Sequence, residues 1–214
     1  MKSISYLKRT LGVLAAACTF LSAVTTNAAL SLVTIDTAPL LNLPASAFAP
    51  FSLAFQFNDG GLLGSNTATV SGFNFFGGSV VGSPTLFGGA TGDIASSVGF
   101  NNSSSFQELF QQFTPGSLLT FTVSTTNNVD SPAPDFFSVA ILDSALNNIT
   151  TDGFGNSLVS LNITGPSSTL QFSTGTGDFS GVVAAVPEPA SAGIIMALGV
   201  LGLGAVRRER LRVA

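Results

Sequence analysis

The stretch FSLAFQF, residues 51–57, decides the fold. Large apolar side chains occupy every second position, while serine, alanine and glutamine lie between them. Alternation with a period of two is typical of a β-strand that turns one face towards a core. Asn58-Asp59-Gly60-Gly61 follows directly, and these residue types tolerate the positive φ of tight turns. We therefore expect a strand that ends in a turn.

Alternating segments recur on both sides of this strand. Residues 31–37 precede it and residues 67–76 follow it. The glycine-rich residues 77–92 are predicted to be a loop with one short strand. Further strands are predicted at residues 118–125, 136–142, 158–163 and 170–173. Eight or so short strands with frequent turn signals indicate a mainly β domain, an antiparallel β-sandwich of jelly-roll type.

One segment departs from the β pattern. Residues 105–108, Ser-Phe-Gln-Glu, have the form of a helix-capping box. Apolar residues then follow the i, i+3, i+4, i+7 spacing of one helical face, at Phe106, Leu109, Phe110 and Phe113. Pro115 would end such a helix. We expect a short amphipathic helix that covers one side of a sheet.

Charge divides the chain into a body and two ends. All seven Lys and Arg residues lie outside residues 29–189, whereas all but one of the 11 Asp and Glu residues lie inside. Binding to phosphate requires cationic side chains, so this composition excludes nucleic-acid partners. The chain has no His, and Cys18 is its single cysteine, which excludes a disulfide within the body. The 19 phenylalanines provide the material for a core.

The same composition removes most catalytic chemistry from the body. A serine nucleophile needs a base, and residues 29–189 contain no His or Lys. Zinc sites built from His and Cys are excluded for the same reason. We therefore predict that the protein is not an enzyme. Two alternatives stay open: a carboxylate glycoside hydrolase using Asp135 and Asp143, and a calcium-dependent carbohydrate-binding module with structural calcium at Asp59, Asp152 and Asp178.

The first 28 residues have the layout of a signal peptide. Lys2, Lys8 and Arg9 form a basic start, and residues 11–24 are apolar. Thr26-Asn27-Ala28 then supplies small residues at the positions that signal peptidase reads, which predicts cleavage between Ala28 and Ala29. An uncleaved first membrane helix is the alternative.

Residues 186–214 have the layout of a membrane-inserted sorting segment. Pro187, Glu188 and Pro189 precede an apolar run, residues 190–206, which ends at Arg207 and Arg208. As a helix the run is roughly 26 Å long, close to the ~30 Å of a bilayer core. The positive-inside bias keeps the arginines cytoplasmic and places residues 29–185 across the membrane. The sequence thus predicts three regions, residues 1–28, 29–185 and 186–214.

The order of triplet, apolar helix and arginine cluster resembles the PEP-CTERM sorting signal of exported proteins in Gram-negative bacteria that make extracellular polysaccharide. The same C-terminal motif is also catalogued as an ice-binding protein C-terminal domain. The resemblance implies processing near the triplet by exosortase, a membrane-embedded cysteine peptidase. An ordinary anchor that is never cut is the alternative.

The body carries a weaker resemblance of its own. VTIDTAPL, FQFNDGG, ATVSGFNF, SFQELFQQFTPGS and PDFFSVAILD are similar to blocks in the ectodomains of a subgroup of these proteins, which implies a shared domain without functional residues. We expect an exported, non-enzymatic protein of the cell surface or extracellular matrix, associated with polysaccharide or biofilm. Its expected partners are signal peptidase, exosortase and, before processing, the membrane. No cofactor other than structural calcium is expected.

Overall fold

The computed structural model describes residues 28–61, 66–101, 103–129, 133–149, 157–173 and 179–186. The predicted signal peptide up to residue 27 and the predicted membrane helix at residues 190–206 lie outside this part. Neither described helix has the length and apolarity needed to cross a membrane. In chain order the elements are β1 (Ala28–Asp36), a 3-10 helix (Ala38–Asn42), α1 (Ala45–Phe48), β2 (Phe51–Asn58), β3 (Ala68–Asn74), β4 (Ser79–Phe87), β5 (Thr91–Gly92), β6 (Ser97–Phe100), β7 (Phe106–Thr114), β8 (Leu118–Thr126), β9 (Asp135–Leu142), β10 (Val159–Ile163), β11 (Gln171–Phe172) and β12 (Gly181–Ala185).

The strands form two antiparallel sheets. The first, sheet A, has the order β12-β1-β8-β3-β6-β5, and the second, sheet B, has the order β11-β10-β9-β2-β7-β4. Strands close in sequence thus tend to lie in different sheets. The longest register joins β1 to β8, from Ala28 opposite Thr126 to Asp36 opposite Leu118. The pairs β1–β8, β2–β7 and β3–β6 are nested within one another along the chain.

Phenylalanine rings fill the space between the sheets. Phe55 of sheet B lies 5.8 Å from Phe121 and 5.9 Å from Phe73, both in sheet A, between ring centroids. Phe57 stacks on Phe100 across the same gap at 6.3 Å. Phe55, Phe57 and Phe121 are fully buried, which contributes about 2 to 3 kcal/mol per side chain. The mainly β class and the predicted strand at residues 51–57 are confirmed.

The predicted helix after Ser105 is wrong, because Phe106–Thr114 forms strand β7. Its buried positions are Gln107, Leu109, Gln111 and Phe113. Two of these four are glutamines, so the apolar residues alone did not show a period of two. The side chains of Phe106 and Phe110, placed on the predicted helical stripe, lie on the opposite face of the strand from Leu109 and Phe113.

Two predicted connections form with a different geometry: the short strand expected within residues 77–92 is longer, and the turn expected at residues 58–61 has no positive φ. Ser79–Phe87 in the glycine-rich stretch is a nine-residue edge strand, β4, which pairs with β7 through a register shift between Val81 and Thr85. Gly82 within that shift has a φ of 65°, a conformation that suits glycine. No positive φ occurs at residues 58–61, all of which are described. There the chain leaves sheet B for sheet A, and Gly60 lies too close to the Pro134 carbonyl to accommodate a Cβ.

Candidate functional site

A groove crosses the outer face of sheet B, with a volume of about 500 Å³. Its floor consists of small residues on the two central strands, where Ala54 of β2 lies opposite Ala140 of β9. Larger side chains form the walls, and they come from β9 and from the turn after it: Phe136, Leu142 and Leu146. The groove is concave because the central strands carry small side chains.

Polar groups line the other side of this groove. Gln56 lies opposite both Glu108 of β7 and Ser138 of β9, so three strands place an amide, a carboxylate and a hydroxyl side by side. Gln56 Nε2 donates a hydrogen bond to Glu108 Oε1 at 2.8 Å, which fixes both side chains. With apolar walls, these groups suit a neutral polyhydroxyl ligand. An anionic ligand would meet Glu108 and no cation, since residues 29–189 contain none.

The predicted hydrolase pair is not brought together. Asp135 is the first residue of β9, and Asp143 directly follows its last residue. An extended strand of this length separates them by roughly 25 Å, whereas glycoside hydrolysis needs about 5 to 9.5 Å. Asp135 is buried and accepts the Gly60 N–H at 2.9 Å, which fastens the β2–β3 connection to the start of β9.

Asp143 organises the turn that follows β9. Its Oδ1 accepts the backbone N–H groups of Ala145 and Asn147, each at 2.8 Å, and its Oδ2 accepts Asn147 Nδ2 at 3.2 Å. The Asn147 backbone N–H is the largest of the causes that hold the pKa of Asp143 below its ordinary value of 3.8, and burial opposes it. Leu146 in the same turn has a φ of 62°, so the carboxylate supports an unusual backbone conformation.

Of the three calcium candidates, the structure describes Asp59. Asp59 Oδ1 accepts the Gly61 N–H at 3.0 Å, an arrangement that closes the turn. Asp152 and Asp178 lie outside the described residues. Within the part of the chain that the structure describes, no group of three or more His, Cys, Asp or Glu residues is placed to hold a metal ion.

The chain leaves the body beside the point where it begins. β12 pairs with β1, with Ala185 opposite Ser31, and the Val186 N–H donates to the Leu30 carbonyl at 2.8 Å. Ala28 and Ala29 begin β1 at this same end of the strand pair. The triplet Pro187, Glu188 and Pro189, together with Arg207 and Arg208, lies outside the described residues. Val186, the last described residue before the triplet, is therefore hydrogen-bonded to Leu30, the second residue after the bond between Ala28 and Ala29 that is predicted for signal peptidase.

Sequence reasoning missed the polar side of the groove. The outward position of Gln56 follows from the alternation of residues 51–57. Glu108 was assigned to a helix cap, so its place opposite Gln56 was not found. The short β-period within residues 106–114, with glutamine at buried positions, is the signal that would have placed it.

Comparison with known proteins identifies the C-terminal segment. A model of the PEP-CTERM protein-sorting motif matches residues 185–208, a range that contains the triplet and the first two arginines of the tail. No curated protein and no solved structure matches the chain. The resemblance seen at the C-terminus is therefore confirmed. The matched range begins at Ala185, so the comparison does not extend to the rest of the body.

Proposed function

Starting from the PEP-CTERM sorting motif that this chain carries at residues 185–208, we propose that it is an exported, non-enzymatic protein of the cell surface or extracellular matrix. The motif implies recognition by exosortase, a membrane processing protease, and export with a C-terminal anchor region. One observation carries the proposal: the motif begins at Ala185, the last residue of β12, so the sorting signal follows the folded body without a linker. The processed body would then be released or transferred intact.

The strand order supports the finer description of the body. The nested pairs β1–β8, β2–β7 and β3–β6, with alternate strands in opposite sheets, favour a sandwich of jelly-roll type. In this arrangement the strands β9, β10 and β11 extend sheet B, and β12 extends sheet A. The role without catalysis is supported by the lack of a His or Lys base in residues 29–189 and by the separation of Asp135 and Asp143.

Intact mass measurement tests the sorting proposal. We expect the protein recovered from the cell surface and medium to have lost residues at both ends, with the new C-terminus near the triplet. Replacing Pro187, Glu188 and Pro189 together by alanine should retain the arginine tail and leave the protein in the membrane fraction. Pro44→Ala, a change at an exposed proline of the body, is the matched control and should be processed normally. A soluble cytosolic protein that keeps both ends would contradict the proposal.

The groove on sheet B favours a second, compatible role, the binding of neutral polysaccharide. The 2.8 Å hydrogen bond between Gln56 and Glu108 lines the same groove as Phe136 and supports this role, because sugars are recognised by polar groups next to apolar surfaces. Calcium-dependent binding remains the variant of this role that uses Asp59, Asp152 or Asp178.

Calorimetry separates these possibilities. Titration of the released protein with matrix polysaccharide should give heat that Gln56→Ala abolishes. Gln112→Ala, an exposed change on β7 outside the groove, should leave the heat unchanged. Heat that appears only with calcium would favour the calcium-dependent module. Absence of heat under both conditions removes the binding role, and release of sugar without stoichiometric binding would favour a hydrolase.

A further inference from the structure

The two ends of the body meet at one place. Ala28 opens β1, and Val186 is hydrogen-bonded to Leu30 just after β12 ends. Antiparallel neighbours lie about 4.8 Å apart, so the chain enters and leaves the body within a strand spacing or two. Because the predicted signal peptide and the sorting motif attach here, both hydrophobic ends would extend from the same point.

This point is at one end of both sheets. Thr126 of β8 pairs with Ala28, and Asn127 Nδ2 donates to the Ser168 carbonyl at 3.4 Å, which joins β8 to the β10–β11 connection. Gly165 in that connection is so close to Val129 that an added Cβ would lie 3.1 Å from Val129 Cγ2. We call this region the exit end and define it as residues 28–30, 127–129, 164–170 and 184–186.

The opposite end of the body is marked by the turn after β9. Ser144 N–H donates to the Phe48 carbonyl at 2.9 Å, and Leu146 of the same turn is 52% exposed. β9 itself separates this turn from Asp135, which pairs with Ile163 just before the exit-end residues 164–170. The eight-residue strand therefore places the two ends roughly 25 Å apart.

The exit end is suited to a lipid surface because its residues are uncharged and some of its apolar side chains are exposed. None of the residues that define it is charged, although the body is strongly anionic. Asp130 and Glu188 follow two of its segments in the sequence, and Asp135, which pairs with Ile163, is buried. Val129 is 74% exposed, and a groove of about 300 Å³ beside β12 is lined by apolar side chains that include Leu30, Leu170 and Val183. An anionic surface turned towards anionic lipid headgroups would be repelled, whereas an uncharged one is not.

The length of chain beyond Val186 fixes how far this end can be from the bilayer. The apolar run starts at residue 190, and four extended residues span at most about 14 Å. We infer that the exit end faces the lipid surface while residues 190–206 are embedded, and that the Leu146 turn points away from it. This inference rests on the proposed sorting function, since it requires the apolar run to be in the membrane.

Site-specific fluorescence quenching tests the orientation. The chain without its predicted signal peptide, residues 29–214, contains no native cysteine and keeps residues 190–206 as its predicted membrane segment. It receives one cysteine, either Val129→Cys or Leu146→Cys, and each cysteine is labelled with a small fluorophore. Both positions are exposed, so both variants should keep the wild-type circular dichroism. The labelled proteins are reconstituted in vesicles of phosphatidylcholine and anionic phosphatidylglycerol, with or without a headgroup nitroxide lipid. We expect the loss of emission at position 129 to be several times larger than at position 146.

Vesicle flotation distinguishes a wrong orientation from a failure of membrane anchoring. If the protein floats with the vesicles and both positions lose emission equally, or position 146 loses more, the orientation is overturned while membrane anchoring stands. If the protein does not float, the anchoring is overturned and the orientation with it. Flotation together with selective quenching at position 129 supports both.

Discussion

β2 and β7 are neighbours in sheet B, but the side chains that they bury in the core differ in polarity. β2 turns Leu53, Phe55 and Phe57 into the core, whereas β7 turns Gln107 and Gln111 inwards beside Leu109. A buried amide is costly unless its donors and acceptors are satisfied. A strand at the side of a core can therefore fix connecting segments through buried polar side chains, in addition to filling space with apolar ones.

The glutamines of β7 satisfy their polar groups with the backbone of connecting segments. Gln111 Oε1 accepts the Ile94 N–H at 2.9 Å, and its Nε2 donates to the Gly82 carbonyl at 2.8 Å, so one side chain fastens the bulge of β4 and the β5–β6 turn. Gln107 Oε1 accepts the Asn101 N–H at 3.1 Å, and its Nε2 donates to the Asn101 carbonyl and to the Ser104 carbonyl. β7 therefore anchors three segments that have little core of their own.

The largest expected effect on stability comes from removing a buried phenylalanine ring of β2. Phe55→Ala removes a fully buried ring that contacts Phe73, Phe121 and Phe137. We expect a loss of about 3 to 5 kcal/mol in the free energy of unfolding, because a cavity remains between the sheets. Urea denaturation followed by circular dichroism measures it. A loss below that of an exposed substitution would mean that the sheets do not pack through this ring.

Gln111→Ala removes one of the two glutamines through which β7 fixes connecting segments. The change leaves the Ile94 N–H and the Gly82 carbonyl without their side-chain partner, so we expect a loss of about 2 to 3 kcal/mol, smaller than for Phe55→Ala. Amide exchange at Ile94 should accelerate as well. Gln112→Ala is the matched control at the next, exposed position, and it should change stability by less than about 0.5 kcal/mol. Equal effects of the two changes would contradict an anchoring role.

Asp143 also fixes a connecting segment by accepting backbone N–H groups, as Gln111 does, but its side chain can carry a charge. Its folded pKa is lowered, chiefly by the Asn147 backbone N–H, so its contribution to stability is present above the unfolded pKa and is lost as the pH falls through the folded pKa. Asp143→Asn keeps an acceptor oxygen but cannot titrate. The stability difference between the wild type and this variant should therefore shrink as the pH falls below 3.8.

Thermal unfolding across this pH range measures the Asp143 effect. Asn147→Ala is the control, because it removes the Asn147 Nδ2 contact and keeps the backbone N–H groups that lower the pKa. The dependence on pH should therefore persist in Asn147→Ala and weaken in Asp143→Asn. A stability difference that is constant from neutral to acid pH would show that charge plays no part in this turn.

The smallest effect belongs to Ser105→Ala, and it separates the strand from the predicted helix. A serine at a helix N-cap contributes about 1 kcal/mol, whereas an exposed serine before a strand contributes within about 0.5 kcal/mol. Ser105 is exposed and directly precedes β7. We expect no measurable change in urea denaturation. A loss near that of a lost helix cap would indicate that these residues form a helix in solution.

The same contrast explains what could be predicted from sequence. β2 and β8 were found because phenylalanine, leucine and valine alternate along them, and local periodicity carries the whole signal. β7 was not found, since two of its four inward positions are glutamines, which apolar periodicity does not count. Their partners Gly82, Ile94 and Asn101 lie in other segments of the chain. The strand expected within residues 77–92 was predicted too short, because Gly82 and Pro84 read as loop, whereas pairing with β7 holds all nine residues of β4 as an edge strand.

The functional regions divide in the same way. The sorting motif was predicted because a linear order of triplet, apolar run and arginines needs no tertiary structure to be recognised. The groove depends on the registers that place Gln56 beside Glu108 and Ser138, which no local pattern contains. Asp135 and Asp143 were grouped because they flank one strand, and it is the extension of that strand that keeps them apart.

The pairing of β12 with β1 also makes this body a natural module for insertion. A domain whose first and last residues lie within a strand spacing or two, roughly 5 to 10 Å, can replace the tip of a surface loop in an unrelated scaffold without long connecting peptides. The scaffold would remain closed around two adjacent junctions.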